Sequence, residues 1–278
     1  MRLYCGYKVA MSYNNELTPA VDGEIKRTSF IKGSPNCSPY ALRGRIGLIC
    51  PSTNTSIEPE FHMMAPSGVS IYVARAFQDG PQAPALYKQI AENVAMASRD
   101  LGSADVDVIA FGCTSCSYFT PASQTIKMMK DNAKGVPALL TSDAVIKALQ
   151  ALGAVRIALA TPRTDFVNKR ETEWLTEKGF KVVSVEGLQL GSTASERASI
   201  GHVRPQTINE LAIRVNRSDA DAVFISCTNL PSLTVIKSLE ADLGKPVITS
   251  NQATFWHCLR TLGLTDKIPE YGRLLEDF

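Results

Sequence analysis

Residues 105–115 read DVDVIAFGCTS, and residues 219–229 read DADAVFISCTN. Each stretch starts on acidic residues, passes through an apolar run of strand length and ends on Cys-Thr, as Cys113–Thr114 and Cys227–Thr228. Two more motifs recur around them in the same order. RIGLICP at 45–51 is answered by RIALATP at 156–162, and GVPALLTSDA at 135–144 by GKPVITSNQA at 244–253. The pairs Arg45/Arg156, Cys113/Cys227 and Pro137/Pro246 lie nearly the same distance apart along the chain. Three ordered recurrences at a near-constant offset imply two copies of one folding unit.

From Gly44 onward, short Val/Ile/Leu/Ala runs alternate with amphipathic stretches, the pattern of an α/β protein whose parallel strands are covered on both faces. Strands are expected at 45–50, 107–112, 156–160, 181–185, 221–226 and 246–250. Helices are expected at 85–101 and 166–179, the second closed by Gly179. The reading is two similar lobes, each a small parallel sheet with helices on its faces. Residues 44–143 plus 250–278 form the first lobe and 144–249 the second, after a polar N-terminal extension at 1–43.

Composition narrows the function classes. The chain has 278 residues, 45% hydrophobic and 20% charged, enough to bury a sizeable core. Lys and Arg number 29 against 27 Asp and Glu, which argues against nucleic acid or an anionic membrane surface as a partner. No apolar run approaches the roughly 18–20 residues of a membrane span. Seven cysteines without framework spacing suit a reducing, cytoplasmic setting. No G-x-G-x-x-G follows the first strand and no P-loop occurs, which argues against a dinucleotide or nucleotide enzyme.

Cys113 and Cys116 are spaced as a redox dithiol or half a zinc site. The second copy weighs against both, because it carries CTNL where the first carries CTSC, so Cys116 reads as incidental. No second Cys pair or His cluster completes a metal site, and His62, His202 and His257 read as surface or packed residues. Cys50 and Cys258 read as core fillers, and Cys5 and Cys37 lie in the extension. What repeats is one Cys at the carboxyl end of a strand, where ligands bind in parallel α/β sheets. Backbone N–H groups at a following helix start stabilise a thiolate there, and Thr114, Ser115 and Thr228 add donors for a carboxylate oxygen. Two lobes facing about a pseudo-twofold axis would bring both thiols to one small substrate, for attack at one carbon and proton transfer at its neighbour.

The motifs RIGLICPSTNTSIEPEF (45–61), GCTSCS (112–117), RIALATP (156–162), ADAVFISCTNL (220–230) and LGKPVITSNQATFWHCLRTLGL (243–264) resemble the aspartate/glutamate racemase superfamily. Within it they resemble the maleate cis–trans isomerase and arylmalonate decarboxylase branch. The resemblance covers nearly everything from Gly44 on. It implies two Rossmann-like lobes, no cofactor, and an active site between the lobes. It implies Cys113 as the nucleophile that adds to a cis-enedioate, Cys227 as the acid/base, and Asn54, Thr114, Ser115 and Thr228 as carboxylate ligands. Similar decarboxylases generally keep the second Cys and have Gly for the first, so the two cysteines here favour an isomerase or racemase. One departure is Arg163, in TPRTDF, where the family usually has Tyr. An arginine there can clamp a carboxylate or turn outward. A second is GSTASERAS (191–199), which lacks the Asn the isomerases tend to carry.

The leading expectation is therefore an isomerase of a small dicarboxylate, with room for a homodimer. An amino-acid or hydantoin-type racemase would exchange the substrate's α-proton with solvent. An arylmalonate-type decarboxylase would survive loss of Cys113 but not of Cys227. A two-lobed dicarboxylate-binding protein would show two unreactive thiols.

Overall fold

The computed structural model describes residues 38–80 and 84–278. Residues 1–37 of the extension, with Cys5 and Cys37, lie outside the described residues. The first half runs β1 (Gly44–Pro51), α1 (Ile57–Met64), β2 (Val69–Ala76), α2 (Pro84–Ser103), β3 (Val108–Phe111), α3 (Cys116–Phe119), α4 (Ala122–Asn132), β4 (Ala138–Leu140) and α5 (Thr141–Ala151). The second runs β5 (Arg156–Arg163), α6 (Asp165–Glu177), β6 (Lys181–Leu190), α7 (Ala194–Ser199), α8 (Pro205–Val215), β7 (Ala222–Ile225), α9 (Ile236–Leu243) and β8 (Val247–Thr249). Helices α10 (Ser250–Thr261) and α11 (Arg273–Asp277) follow.

The strands form two four-stranded parallel sheets of the same order, β2-β1-β3-β4 and β6-β5-β7-β8. Their inner strands carry two of the three duplicated motifs, and the edge strands β4 and β8 carry the third. β3 and β7 are buried along their whole length, as their unbroken apolar runs require. The acidic residue before each strand has a structural purpose. Asp107 accepts from the Arg45 backbone N–H and returns its own N–H to the Arg45 carbonyl, and Asp221 repeats both bonds with Arg156. One carboxylate thus sets the register between the first and third strand of each copy.

Two strands lie outside the expected set. β2 is an edge strand that mixes Ser70, Tyr72 and Arg75 among its apolar residues and is mostly half-buried. β4 is only three residues long. Helix α6 ends with Gly179 just past its C-terminus at φ +90°, the left-handed turn that a glycine admits without a Cβ clash.

The two sheets share one core. Leu48 and Phe61 of the first half pack in the same cluster as Phe224 and Phe255, and Phe61 meets Phe255 edge to face at 5.3 Å. Burying each such side chain contributes about 1.5–3 kcal/mol. Helix α10 runs through this region and packs on α5, α1 and β3. Glu60 of α1 is fastened there, accepting from Asn251 Nδ2 of α10 (2.6 Å) and from the Leu233 N–H (2.9 Å). Burial pushes its carboxyl up to about 7. The carboxyl ends of β1, β3, β5 and β7 are thereby held against one another, which positions the site. No helix among the described residues is long and apolar enough to cross a membrane.

Candidate active site

A cavity of about 40 Å³ lies where these strand ends meet. It has room for on the order of three waters. Its wall includes Asn54, Cys113, Ser115, Cys116, Arg163, Arg197, Thr228 and Asn229. Five of the seven expected site residues therefore face one cavity: Asn54, Cys113, Ser115, Arg163 and Thr228. Thr114 and Cys227 stand outside its wall.

Cys113 follows β3 by two residues and is 7% exposed. Its Sγ lies 3.0 Å from Cys116 Sγ and 3.7 Å from Ser115 Oγ. The hydrogen bond with Cys116, helped by the Cys116 N–H, Ser115 and the Arg163 charge, outweighs burial and holds the Cys113 thiol below the ordinary thiol range. Cys116 responds in the opposite sense. It is held well above the ordinary thiol value, because its proton is shared with Cys113 and its surroundings are buried. Cys116, which comparison of the two copies left as incidental, is thus the hydrogen-bond partner of Cys113. The Cys-x-x-Cys spacing carried that signal.

Cys227 follows β7 in the same way, but its backbone has φ +152°, a conformation that side chains rarely adopt. Three bonds hold it: the Cys227 N–H donates to Ser250 Oγ (3.1 Å), the Leu230 N–H donates to the Cys227 carbonyl, and the preceding Ser226 N–H donates to Ala160. Ser250 also meets Thr114 Oγ1 at 3.1 Å, so one hydroxyl at the start of α10 fastens both Cys-Thr loops. Thr114 spends its hydroxyl on this strap, which is why it stands back from the cavity. Thr228 Oγ1 donates to the Gly112 carbonyl (2.9 Å) and accepts from Asn54 Nδ2 (3.0 Å). Asn54 Oδ1 accepts from the N–H groups of Ser56 and Ile57 at the start of α1. Both residues line the cavity while also joining the two copies.

Arg163, at the end of β5, turns inward. Its guanidinium lines the cavity and donates to Cys227 Sγ at 3.5 Å. Its backbone is clamped: its N–H donates to Thr161 Oγ1 and its carbonyl accepts from Asn168 Nδ2. β6 passes so close that a Cβ on Gly187 would sit 2.2 Å from the Arg163 carbonyl, which explains the glycine there. Arg197, a second guanidinium, enters from α7. It is 6% exposed and donates to the Gly80 carbonyl, and its own carbonyl accepts from Asn229 Nδ2. It comes from the 191–199 segment, which holds no asparagine. No carboxylate lines the cavity among the described residues, so two arginines set its charge.

Among the described residues, no three His, Cys, Asp or Glu side chains converge as a metal site would need. His62 and His202 are exposed, and His257 packs against Lys147 at 2.8 Å; none lines this cavity. Cys50 and Cys258 are fully buried, and burial pushes the Cys50 thiol up to about 11. A thiol lowered below its ordinary range, a strained second cysteine and two cations together can hold a small polyanion and do thiol chemistry on it.

The family profile described as arylmalonate decarboxylase matches residues 46–275. An arylmalonate decarboxylase from Bordetella bronchiseptica is 30% identical over 82% of this chain and 97% of its own. A maleate isomerase from Geobacillus stearothermophilus is 26% identical over 83% of this chain and 96% of its own. A solved structure of a Nocardia farcinica maleate cis–trans isomerase variant, carrying a covalently bound succinylcysteine intermediate, superposes with a TM-score of 0.77. It is 22% identical and covers 84% of this chain and 99% of its own, a likeness of fold.

Proposed function

Because the chain belongs to the arylmalonate decarboxylase family, we propose that it is a cis–trans isomerase of a small dicarboxylate, with Cys113 as nucleophile and Cys227 as acid/base. The observation that carries this reading is the activated Cys113 thiol, held in a cavity whose charge comes from Arg163 and Arg197. The maleate isomerase relatives support the substrate class. The lobes proposed with it are 44–143 plus 250–278 and 144–249; the packing of α10 on α1 and β3 supports placing 250–278 with the first, while α5, which α10 also packs on, straddles the boundary.

The substrate carboxylates pair with the two guanidiniums, and Arg163 leaves Cys227 to do so. Cys113 thiolate adds to one alkene carbon. The C–S bond forms, and the π electron pair passes to the neighbouring carbon, which takes the Cys227 proton. The negative charge left on Cys227 is next to Arg163. Rotation about the new single bond follows. Cys227 then removes a proton from that carbon, the C–S bond breaks, and the trans alkene leaves with Cys113 restored as thiolate. Asn54, Ser115 and Thr228 contact the carboxylates from the opposite wall.

Proton NMR of the enzyme with maleate tests this. Fumarate growing at the expense of maleate supports the isomerase; unchanged maleate removes this substrate. The relative that is 30% identical favours a second reading, decarboxylation of a substituted malonate with Cys227 as proton donor. In a parallel tube, carbon dioxide loss from a phenylmalonate would identify it.

Two further outcomes are expected. The rate at low substrate, kcat/KM, rises with pH through a value below the ordinary thiol range, because the reactive thiolate exists above the lowered Cys113 value. Below that value it falls about tenfold per pH unit. Iodoacetamide labelling of Cys113 should follow the same curve, and a labelling midpoint above pH 8 would refute the activated thiolate. Arg197→Gln removes one charged anchor and should raise KM for maleate about 10- to 100-fold with a smaller change in kcat. Unchanged KM would show that Arg197 does not touch substrate.

A further inference from the structure

The thiol of Cys116 does more than polarise Cys113. Both sulfurs line the same cavity, both are free, and they stand 3.0 Å apart in a Cys-x-x-Cys loop. A disulfide needs them at about 2.05 Å, a closure of roughly 1 Å that this spacing accommodates. The remaining described cysteines lack this arrangement: Cys50 and Cys258 are closed in the core, and Cys227 accepts from the Arg163 guanidinium. From this juxtaposition we infer that Cys113 and Cys116 form a peroxide-responsive pair, in which Cys113 is the oxidised thiol and Cys116 resolves it to a disulfide.

The oxidant is hydrogen peroxide, small enough for a cavity of about 40 Å³. The Cys113 thiolate attacks one peroxide oxygen. An S–O bond forms, the O–O bond breaks, and the departing hydroxide leaves as water after taking a proton. Cys113 is then a sulfenic acid. The Cys116 sulfur attacks the Cys113 sulfur and gives up its proton. The S–S bond forms, the S–O bond breaks, and a second water departs. Two thiols and one peroxide thus become one disulfide and two waters. The nucleophile is withdrawn from catalysis yet kept off the irreversible sulfinic and sulfonic steps. The pair therefore gives the site a reversible off state. The chemistry depends on the two thiols alone, so it stands whether the substrate proves to be an enedioate or a malonate.

The test treats the full-length protein with a small excess of hydrogen peroxide, alkylates the remaining thiols, and examines the tryptic peptide 100–127, which holds Cys113 and Cys116 and no other cysteine. The expected product is that peptide unalkylated and lighter by two hydrogens, restored to the dialkylated form by dithiothreitol. Activity, where measurable, is lost and recovered in step. In Cys116→Ser the same dose should carry Cys113 to sulfinic acid, which dithiothreitol does not reverse. The wild-type peptide decides the matter even if that variant fails to fold. Cys113 appearing as sulfinic acid in the wild type while Cys116 remains alkylatable would overturn the inference. So would both thiols surviving a peroxide excess unmodified.

Discussion

Cys113→Ala is expected to abolish conversion of maleate to fumarate, lowering kcat by at least about 10⁴-fold. That corresponds to about 5.5 kcal/mol of barrier. The size follows from the role: without the sulfur there is no covalent adduct, and rotation about an intact double bond has no route. The fold should survive, because Cys113 sits in a loop beyond β3 and packs at the rim of a cluster whose bulk is Ile109, Phe111 and Met129. Thermal melting checks this, and a shift of only a few degrees is expected. The same variant separates the two family chemistries. An isomerase loses everything, whereas a decarboxylase using Cys227 alone keeps its activity toward a malonate. Residual isomerisation within tenfold of wild type would remove Cys113 as the nucleophile.

Much of this site was readable before the fold was known, and the reason is duplication. Two copies of strand-Cys-Thr located the loops, and an α/β alternation located the strand ends on which they sit. The equal strand order of the two sheets is the physical form of that repeat. The signal fails where a residue acts without a counterpart in the other copy. Cys116 has Leu230 in its place, so comparison discarded it, although its sulfur is 3.0 Å from Cys113 Sγ. Ser250 lies in a repeated motif, but its task of holding both loops depends on three-dimensional closure. Arg197 could have been found by asking the 191–199 segment for any anion-binding side chain instead of an asparagine. Thr193 and Glu196 there form a capping box that starts α7, and Arg197 lies in its last turn. β2 escaped because an edge strand tolerates polar residues that blur its pattern.

Cys227→Ala should lower isomerisation about 10²- to 10⁴-fold, the range of a lost general acid/base. The backbone argues for the role independently of family likeness. A φ of +152° on a residue with a Cβ costs of order 1–3 kcal/mol, and it persists because Ser226, Ser250 and Leu230 pin the turn from three sides. Such strain held by bonds to neighbouring elements is a feature of sites where a side chain must be aimed. Alanine keeps the Cβ and the strain, so stability should change by only about 1 kcal/mol while activity collapses. Ser250→Ala tests the aiming separately. It leaves both thiols in place but removes the hydroxyl shared by the Cys227 N–H and Thr114. Iodoacetamide labelling of Cys113 in Cys227→Ala completes the case: a labelling midpoint unchanged from wild type shows that the Cys113 thiolate is intact and only proton transfer is gone. If Cys227→Ala turns over maleate as fast as wild type, Cys227 is not the proton donor, and the strained turn serves the fold alone.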